Sequence, residues 1–335
     1  MIKGWAALAP KQQLQPYTYD PGPLNAEEVE VEVEYCGLCH SDLSMINNDW
    51  GLSQYPIIPG HEVVGRIVAI GSQVKGLKIG QSVGIGWNAE SCMRCHECLT
   101  GHHNLCSETV PTIVKHHGGF AERVRVHWVW AIPLPDIINK AAAGPLLCGG
   151  ITVFAPFLVF NVKPTDRVGV VGIGGLGHLA LQFARTWGCE VIALTSSTSK
   201  AQEAHKFGAH YSVSSQDQSE ISKLTNTLDF LLITVNVPLD WSLLLRTLKP
   251  NGRMHVVGAV LEPIPIQAFD LIMGQKSISG SPTGGPAMTA IMLDFASRHR
   301  IVPQVEHFAL HQVNDAIAHL AAGKAKYRIV LDRES

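Results

Sequence analysis

Residues 167–177 read RVGVVGIGGLG. The β-branched run Arg167–Ile173 has the pattern of a buried strand, and helical periodicity follows in Gly177–Trp187. Between them Gly172, Gly174 and Gly177 spell G-x-G-x-x-G, with Gly175 and Leu176 completing the loop. Glycines let the backbone turn tightly and approach a pyrophosphate, which sits where the free N–H groups and dipole of a helix N-terminus favour an anion. The glycine pattern alone is common; between a strand and a helix it predicts dinucleotide binding.

Working outward, a strand is expected at Glu190–Leu194 and a polar helix from near Ser199. Further strands follow at Phe230–Thr234 and Arg253–Gly258, with a helical Trp241–Leu248 between them. Such alternation predicts a parallel sheet wound on both faces. The first 130 residues read differently. Glu28–Tyr35, EVEVEVEY, alternates apolar and acidic residues like a half-buried strand, and Val63–Ile70 and Ser82–Gly86 read as further strands. After about residue 285 come a helix around Ala290–Ser297 and a terminal strand, Tyr327–Leu331. The expected architecture is α/β: a β-rich body, an inserted doubly wound domain and a return of the C-terminus. Pattern alone does not reveal which domain the tail rejoins.

The 335 residues carry a net charge of −2 and are 46% hydrophobic, so no general attraction to nucleic acid or anionic membranes is expected. Residues 141–162 contain no charge, but Gly144, Pro145, Gly149, Gly150 and Pro156 mark them as a buried core segment rather than a span. The N-terminus lacks the apolar run of a secretory signal, so a cytoplasmic setting is expected, with the eight cysteines as reduced thiols or metal ligands.

The end of the second strand bears on the nucleotide. NAD-binding domains place an acid there for the ribose 2′-OH; here Thr195, Ser196, Ser197 and Lys200 occupy it, which suits the 2′-phosphate of NADP(H). The same serines also read as ordinary N-caps of the next helix.

Residues 92–106, CMRCHECLTGHHNLC, supply Cys92, Cys95, Cys98 and Cys106 from one loop. Four thiolates close the tetrahedral shell of a structural zinc and leave no place for substrate, so His96, His102 and His103 read as solvated loop residues. A catalytic zinc needs fewer protein ligands and an open position. Candidates are Cys36, Cys39 and His40 in CGLCHSDLS, His61 and Glu62 in PGHEVVG, and Cys148 in LLCGG. Taken singly, Cys36 and Cys148 also read as buried apolar thiols and His61 as a core histidine.

Gly60–Val74, GHEVVGRIVAIGSQV, matches the zinc-alcohol-dehydrogenase signature G-H-E-x2-G-x5-G-x2-V. With the four-cysteine loop, LLCGGIT and GIGGLG in this order, the whole chain resembles a zinc-dependent medium-chain alcohol dehydrogenase. YCGLCHSDLS and ALTSSTSK point to the cinnamyl alcohol dehydrogenase branch and, within it, to bacterial NADPH-dependent aldehyde reductases. The resemblance implies a GroES-like catalytic domain, residues 1–149 and 286–335, and a Rossmann cofactor domain, residues 150–285. It implies a catalytic zinc on Cys39, His61 and Cys148, with Glu62 able to enter the shell. Asp42 then fixes the tautomer of His61, Cys36 is a bystander, and Ser41 relays a proton, although Ser44 stands where many relatives carry the outer histidine of the relay. Thr152 is expected at the nicotinamide, His40 and Arg328 near the cofactor phosphates, and Trp50, Leu52 and Trp87 in the substrate pocket. An NADP(H)-dependent aldehyde reductase with two zinc ions per chain is thus expected, a homodimer joined at the edge Ser277–Ser281. A zinc-free quinone or enone reductase and a non-enzymatic, zinc-stapled dinucleotide-binding protein are the competing readings.

Overall fold

The computed structural model describes residues 1–333, the Thr198 side chain excepted. The chain forms two compact units, Met1–Ile151 together with the segment from Thr283 onward, and Thr152–Pro282.

The second unit is built on a six-stranded sheet. Its order across the sheet is Tyr211–Ser214, Glu190–Thr195, Arg167–Val171, Leu228–Ile233, Leu248–Val256 and Ser277–Gly280, and every neighbouring pair is parallel. In chain order this is 3-2-1-4-5-6, the doubly wound arrangement. Val168, Val170, Leu231 and Leu232 are fully buried, which explains why these strands read as continuous apolar runs rather than alternating ones. The order reverses between Arg167–Val171 and Leu228–Ile233, and the loop GIGGLG leaves the carboxyl end of the former.

In the first unit, Glu28–Leu38 pairs antiparallel with Glu62–Ile70, with Arg123–His127 and with Arg328–Asp332, so the chain's tail rejoins its first half. Val29, Val31 and Val33 point into the core. Glu30 is buried as well, contrary to simple alternation, because Arg123 and Arg125 each donate to one of its carboxylate oxygens at 2.8 Å.

The uncharged segment is broken. Its two helical stretches, Lys140–Leu147 and Gly149–Val159, meet at 56° around Cys148. Among the described residues no single helix is long and apolar enough to cross a membrane. The helix Gly149–Val159 leads from the first unit into the second.

Candidate metal centres and nucleotide loop

The four clustered cysteines bring their sulfurs within 4.8 Å of one another, and Cys92 and Cys98 stand 4.0 Å apart. A tetrahedral zinc with 2.3 Å bonds holds two sulfurs about 3.8 Å apart, so this loop fits a closed zinc site. Backbone N–H groups aim at the sulfurs: that of Cys95 at Cys92 and that of Glu108 at Cys106, both at 3.3 Å. The N–H of Arg94 and that of Cys95 bring the Cys92 thiol down to about 7, which favours the thiolate a metal needs. His96 and His102 are exposed. His103 departs from the expectation: it is half-buried, its ring 6.3 Å from that of Trp130, because the short helical turn His103–Leu105 folds it back onto the body. Next to it, Asn104 Nδ2 donates to the Thr283 carbonyl at 2.7 Å, tying the loop to the returning chain.

A second group comes from distant segments. Cys39 ends the strand Glu28–Leu38 and caps the helix His40–Asn47. His61 and Glu62 open the strand Glu62–Ile70, and Cys148 stands at the helix break. Ligand atoms of Cys39, His61, Glu62 and Cys148 lie within 4.8 Å of one another, all buried. Cys39 Sγ and Cys148 Sγ are 3.9 Å apart, too far for a disulfide and suited to a shared zinc; His61 Nε2 is 3.3 Å from Cys148 Sγ. Buried side by side, the two thiols are driven in opposite directions. The hydrogen bond from Cys148 drives Cys39 well below the usual thiol range, while the bond to Cys39, with burial, drives Cys148 well above it. Holding two thiolates here therefore calls for a cation.

Asp42 supports this group. Its Oδ1 lies 2.9 Å from His61 Nδ1 and accepts the Gly60 N–H at 2.8 Å, while Oδ2 accepts the Cys39 N–H at 2.9 Å. Nδ1 thus carries the proton and Nε2 faces the sulfurs. Burial opposes a second proton on the ring, but Asp42 and Cys39 outweigh it and raise the His61 pKa to about 10, so a metal must displace that proton. Glu62 is fully buried; Oε1 is held by Arg328, and Oε2 has no partner among the described residues. Cys36 is buried nearby, its thiol pushed up by burial. Arg328 is enclosed at 6% exposure and pairs with Glu62.

On the helix His40–Asn47, His40 is exposed and Ser41 and Ser44 are half-buried. Trp87 meets the His61 ring edge-on at 4.9 Å, and Trp50 meets Trp87 at 6.0 Å, which assembles an aromatic wall beside the ligand group. Leu52 is 54% exposed and joins no such contact.

In the nucleotide loop Gly172 adopts φ +89°, and a Cβ on Gly177 would fall 1.9 Å from the Gly172 carbonyl; the turn itself demands both glycines. Gly174 differs: nothing lies within 4 Å of the place its Cβ would take. The chain's own packing does not require glycine there, whereas the close approach of a pyrophosphate does. Ser196 and Lys200 are exposed at the end of the second strand. Ser197 caps the helix Thr198–Lys206, accepting from the Lys200 N–H at 3.5 Å. Thr195 is 4% exposed, because as the last strand residue it turns into the sheet's packing, and Thr152 is buried in the helix Gly149–Val159.

Residues 25–136 match the family model of the alcohol dehydrogenase GroES-like domain, and residues 175–298 match that of the zinc-binding dehydrogenases. An aldehyde reductase from Synechocystis is 55% identical over 99% of this chain and 98% of its own. The chain belongs to the zinc-binding alcohol dehydrogenases. Within that family, a cinnamyl alcohol dehydrogenase structure from Sorghum bicolor superposes with a TM-score of 0.95 at 36% identity, covering 99% of this chain and 97% of its own. One from Helicobacter pylori, complexed with NADP(H), superposes with 0.92 at 30% identity, covering 100% and 98%. The expected GroES-like and Rossmann halves are thus present. Sequence reasoning missed how this dehydrogenase buffers Glu62 with Arg328 and anchors its cysteine loop through Asn104; neither contact leaves a local signal.

Proposed function

We propose that this chain is a zinc-dependent aldehyde reductase, reversible as an alcohol dehydrogenase, which moves hydride between NADP(H) and hydrophobic aldehydes. The observation that carries the reading is the convergence of Cys39, His61 and Cys148, three ligands from distant segments, beside the aromatic pair Trp50 and Trp87. The names of the Synechocystis and Helicobacter relatives support it. In this reading residues 1–149 and 286–335 carry the chemistry, and residues 150–285 bind the dinucleotide.

Cys39, His61 and Cys148 hold the catalytic zinc, with Glu62 as an auxiliary ligand, and the four-cysteine loop holds the structural one. When bound, the zinc polarises the aldehyde carbonyl as a Lewis acid and the nicotinamide supplies the hydride. Asp42 keeps the proton on His61 Nδ1 and so directs Nε2 at the metal. Arg328 neutralises Glu62 until its carboxylate is needed. Ser41 Oγ–H gives its proton to the substrate oxygen and is recharged on the side of Ser44. Trp50 and Trp87 exclude water from the reacting centre and favour apolar substrates, with the exposed Leu52 at the approach.

Gly172, Gly174, Gly175, Leu176 and Gly177 bind the pyrophosphate. Ser196 and Lys200 hold the 2′-phosphate, Ser197 serves chiefly as the helix cap, and buried Thr195 backs the strand end. Thr152 and exposed His40 remain the candidates for nicotinamide and phosphate contact. The reading includes a reduced, cytoplasmic setting. It also includes a homodimer formed at the open edge strand Ser277–Gly280, where the preceding Phe269, Ile272 and Met273 leave apolar side chains 71%, 63% and 79% exposed.

A zinc-free quinone reductase leaves Cys39, His61 and Cys148 idle, as does a zinc-stapled binding protein. Aldehyde-dependent oxidation of NADPH and NADH, measured side by side with bound zinc, tests the proposal. Preference for NADPH, two zinc ions per chain and loss of activity to a chelator support it. One zinc without turnover favours the binding protein, and turnover without zinc favours the quinone reductase.

A further inference from the structure

The helix His40–Asn47 starts at Cys39, a member of the buried ligand group, and carries Ser41. A helix leaves its last carbonyls without partners of its own. Here the chain that follows supplies them. Tyr55 Oη donates to the Ile46 carbonyl at 2.7 Å, and Ser53 Oγ donates to that of Met45. The loop is also closed on itself. The Ser53 N–H donates to Asn48 Oδ1 at 3.1 Å, and the Gly51 N–H donates to the Asn48 carbonyl at 3.2 Å. Asn48 and Gly51 both adopt left-handed backbone, φ 61° and 69°, which asparagine and glycine tolerate best.

Trp50 lies between those two reversals. Its indole is 6.0 Å from that of Trp87, which in turn meets the His61 ring at 4.9 Å. The wall therefore leads away from the ligand group through two rings, Trp87 first and Trp50 second. Packing alone does not fix the second ring: Asp49, Gly51, Leu52 and Gln54 around it are all exposed. An exposed loop of this kind ordinarily retains much conformational freedom. Hydrogen bonds from Asn48, Ser53 and Tyr55 restrict it, and they refer the loop to the helix that begins at Cys39.

We infer that Asn48, Ser53 and Tyr55 are positioning residues: they hold Trp50 against Trp87 as the outer part of the substrate wall, and so set how long an aldehyde the site prefers. This rests on the reading of the site given above. A short aldehyde with its carbonyl at the metal group touches Trp87 at most. One that extends by a further ring reaches Trp50 and gains from its being fixed.

Propanal and hydrocinnamaldehyde, which is propanal carrying a terminal phenyl ring, make the matched pair that tests this. Asn48→Gly keeps the left-handed backbone and removes the acceptor for the Ser53 N–H; Tyr55→Phe removes the bond to Ile46. The double variant is expected to raise KM for hydrocinnamaldehyde about fivefold or more, with kcat and the KM for propanal changed less than about twofold. Asn48→Asp, which retains the acceptor, is expected to keep the wild-type ratio of the two KM values. Near-ultraviolet circular dichroism follows the indole pair without any reaction. The difference between wild type and Trp50→Phe defines its signal, which the double variant is expected to lose and Asn48→Asp to retain. An equal rise in KM for both aldehydes, an unchanged KM for both, or a pair signal that survives the double variant overturns the inference. Absence of turnover in the wild type would instead count against the reading of the site, and the spectra then decide by themselves whether the three residues hold Trp50. Should the double variant fail to fold, Tyr55→Phe alone is read in the same two ways.

Discussion

Asp42 Oδ1 stands 2.9 Å from His61 Nδ1, with both side chains fully buried. One carboxylate thereby fixes the imidazole and, through the Cys39 N–H, the start of the helix that follows. Asp42→Asn keeps the shape but loses the charge that sets the tautomer. Zinc affinity at this group is expected to fall by about 10–100-fold, with the structural zinc retained. Competition against a chromogenic chelator measures it; two zinc ions held as tightly as before would refute the role given to Asp42.

Ser41 has no metal-binding atom in the group, so its hydroxyl can be removed without touching the ligands. Ser41→Ala is expected to lower turnover by about 100-fold or more while leaving two zinc ions per chain. Wild-type rates in that variant end the proton-relay reading.

The serines after the second strand separate into two jobs. Ser197→Ala is expected to cost about 0.5–2 kcal/mol of stability, as for a lost N-cap, seen as a lower melting temperature. Ser196→Asp should leave stability nearly unchanged and cut kcat/KM for NADPH about tenfold or more relative to NADH, since an acid repels the 2′-phosphate. Equal loss with both nucleotides would show that Ser196 does not face the phosphate.

His255 gives a pH signature. It is fully buried between Ser279 and Ser281, each hydroxyl 2.9 Å from a ring nitrogen, and burial, aided by Arg253, lowers its pKa to about 4. The unfolded chain takes up this proton near pH 6.5, the folded chain only near pH 4, so acid favours unfolding across that window. The stability His255 contributes is fully present above pH 6.5 and is lost at up to about 1.4 kcal/mol per pH unit on the way down. His255→Gln, which can still bond both serines, is expected to flatten the loss. Parallel denaturant titrations at several pH values check this; identical slopes for both proteins would contradict it.

The features legible in the sequence were the local ones. The strand–loop–helix at 167–187 and the cysteine spacing at 92–106 are each written within a short window, and backbone geometry translates them directly. The second metal group was legible only through a resemblance, since Cys39, His61 and Cys148 meet across three segments whose individual patterns say little. Contacts between remote segments were not readable. Arg328 and Glu62 are 266 positions apart, and their strands flank Glu28–Leu38 on opposite sides, a placement that imposes no periodicity on either. Thr195 illustrates a different limit: its hydroxyl suggested a ligand, and residue type alone did not show that it is buried at the strand's end.

The Arg328–Glu62 pair also has a temporal side. Every member of the buried ligand group precedes Arg328 in sequence, and so emerges from the ribosome before it. The cation that balances Glu62 arrives only with the final strand. A nascent chain therefore holds an incomplete charge balance at its metal pocket until Arg328 has been made, and a change in the strand that carries Arg328 reaches that pocket although it is remote in sequence.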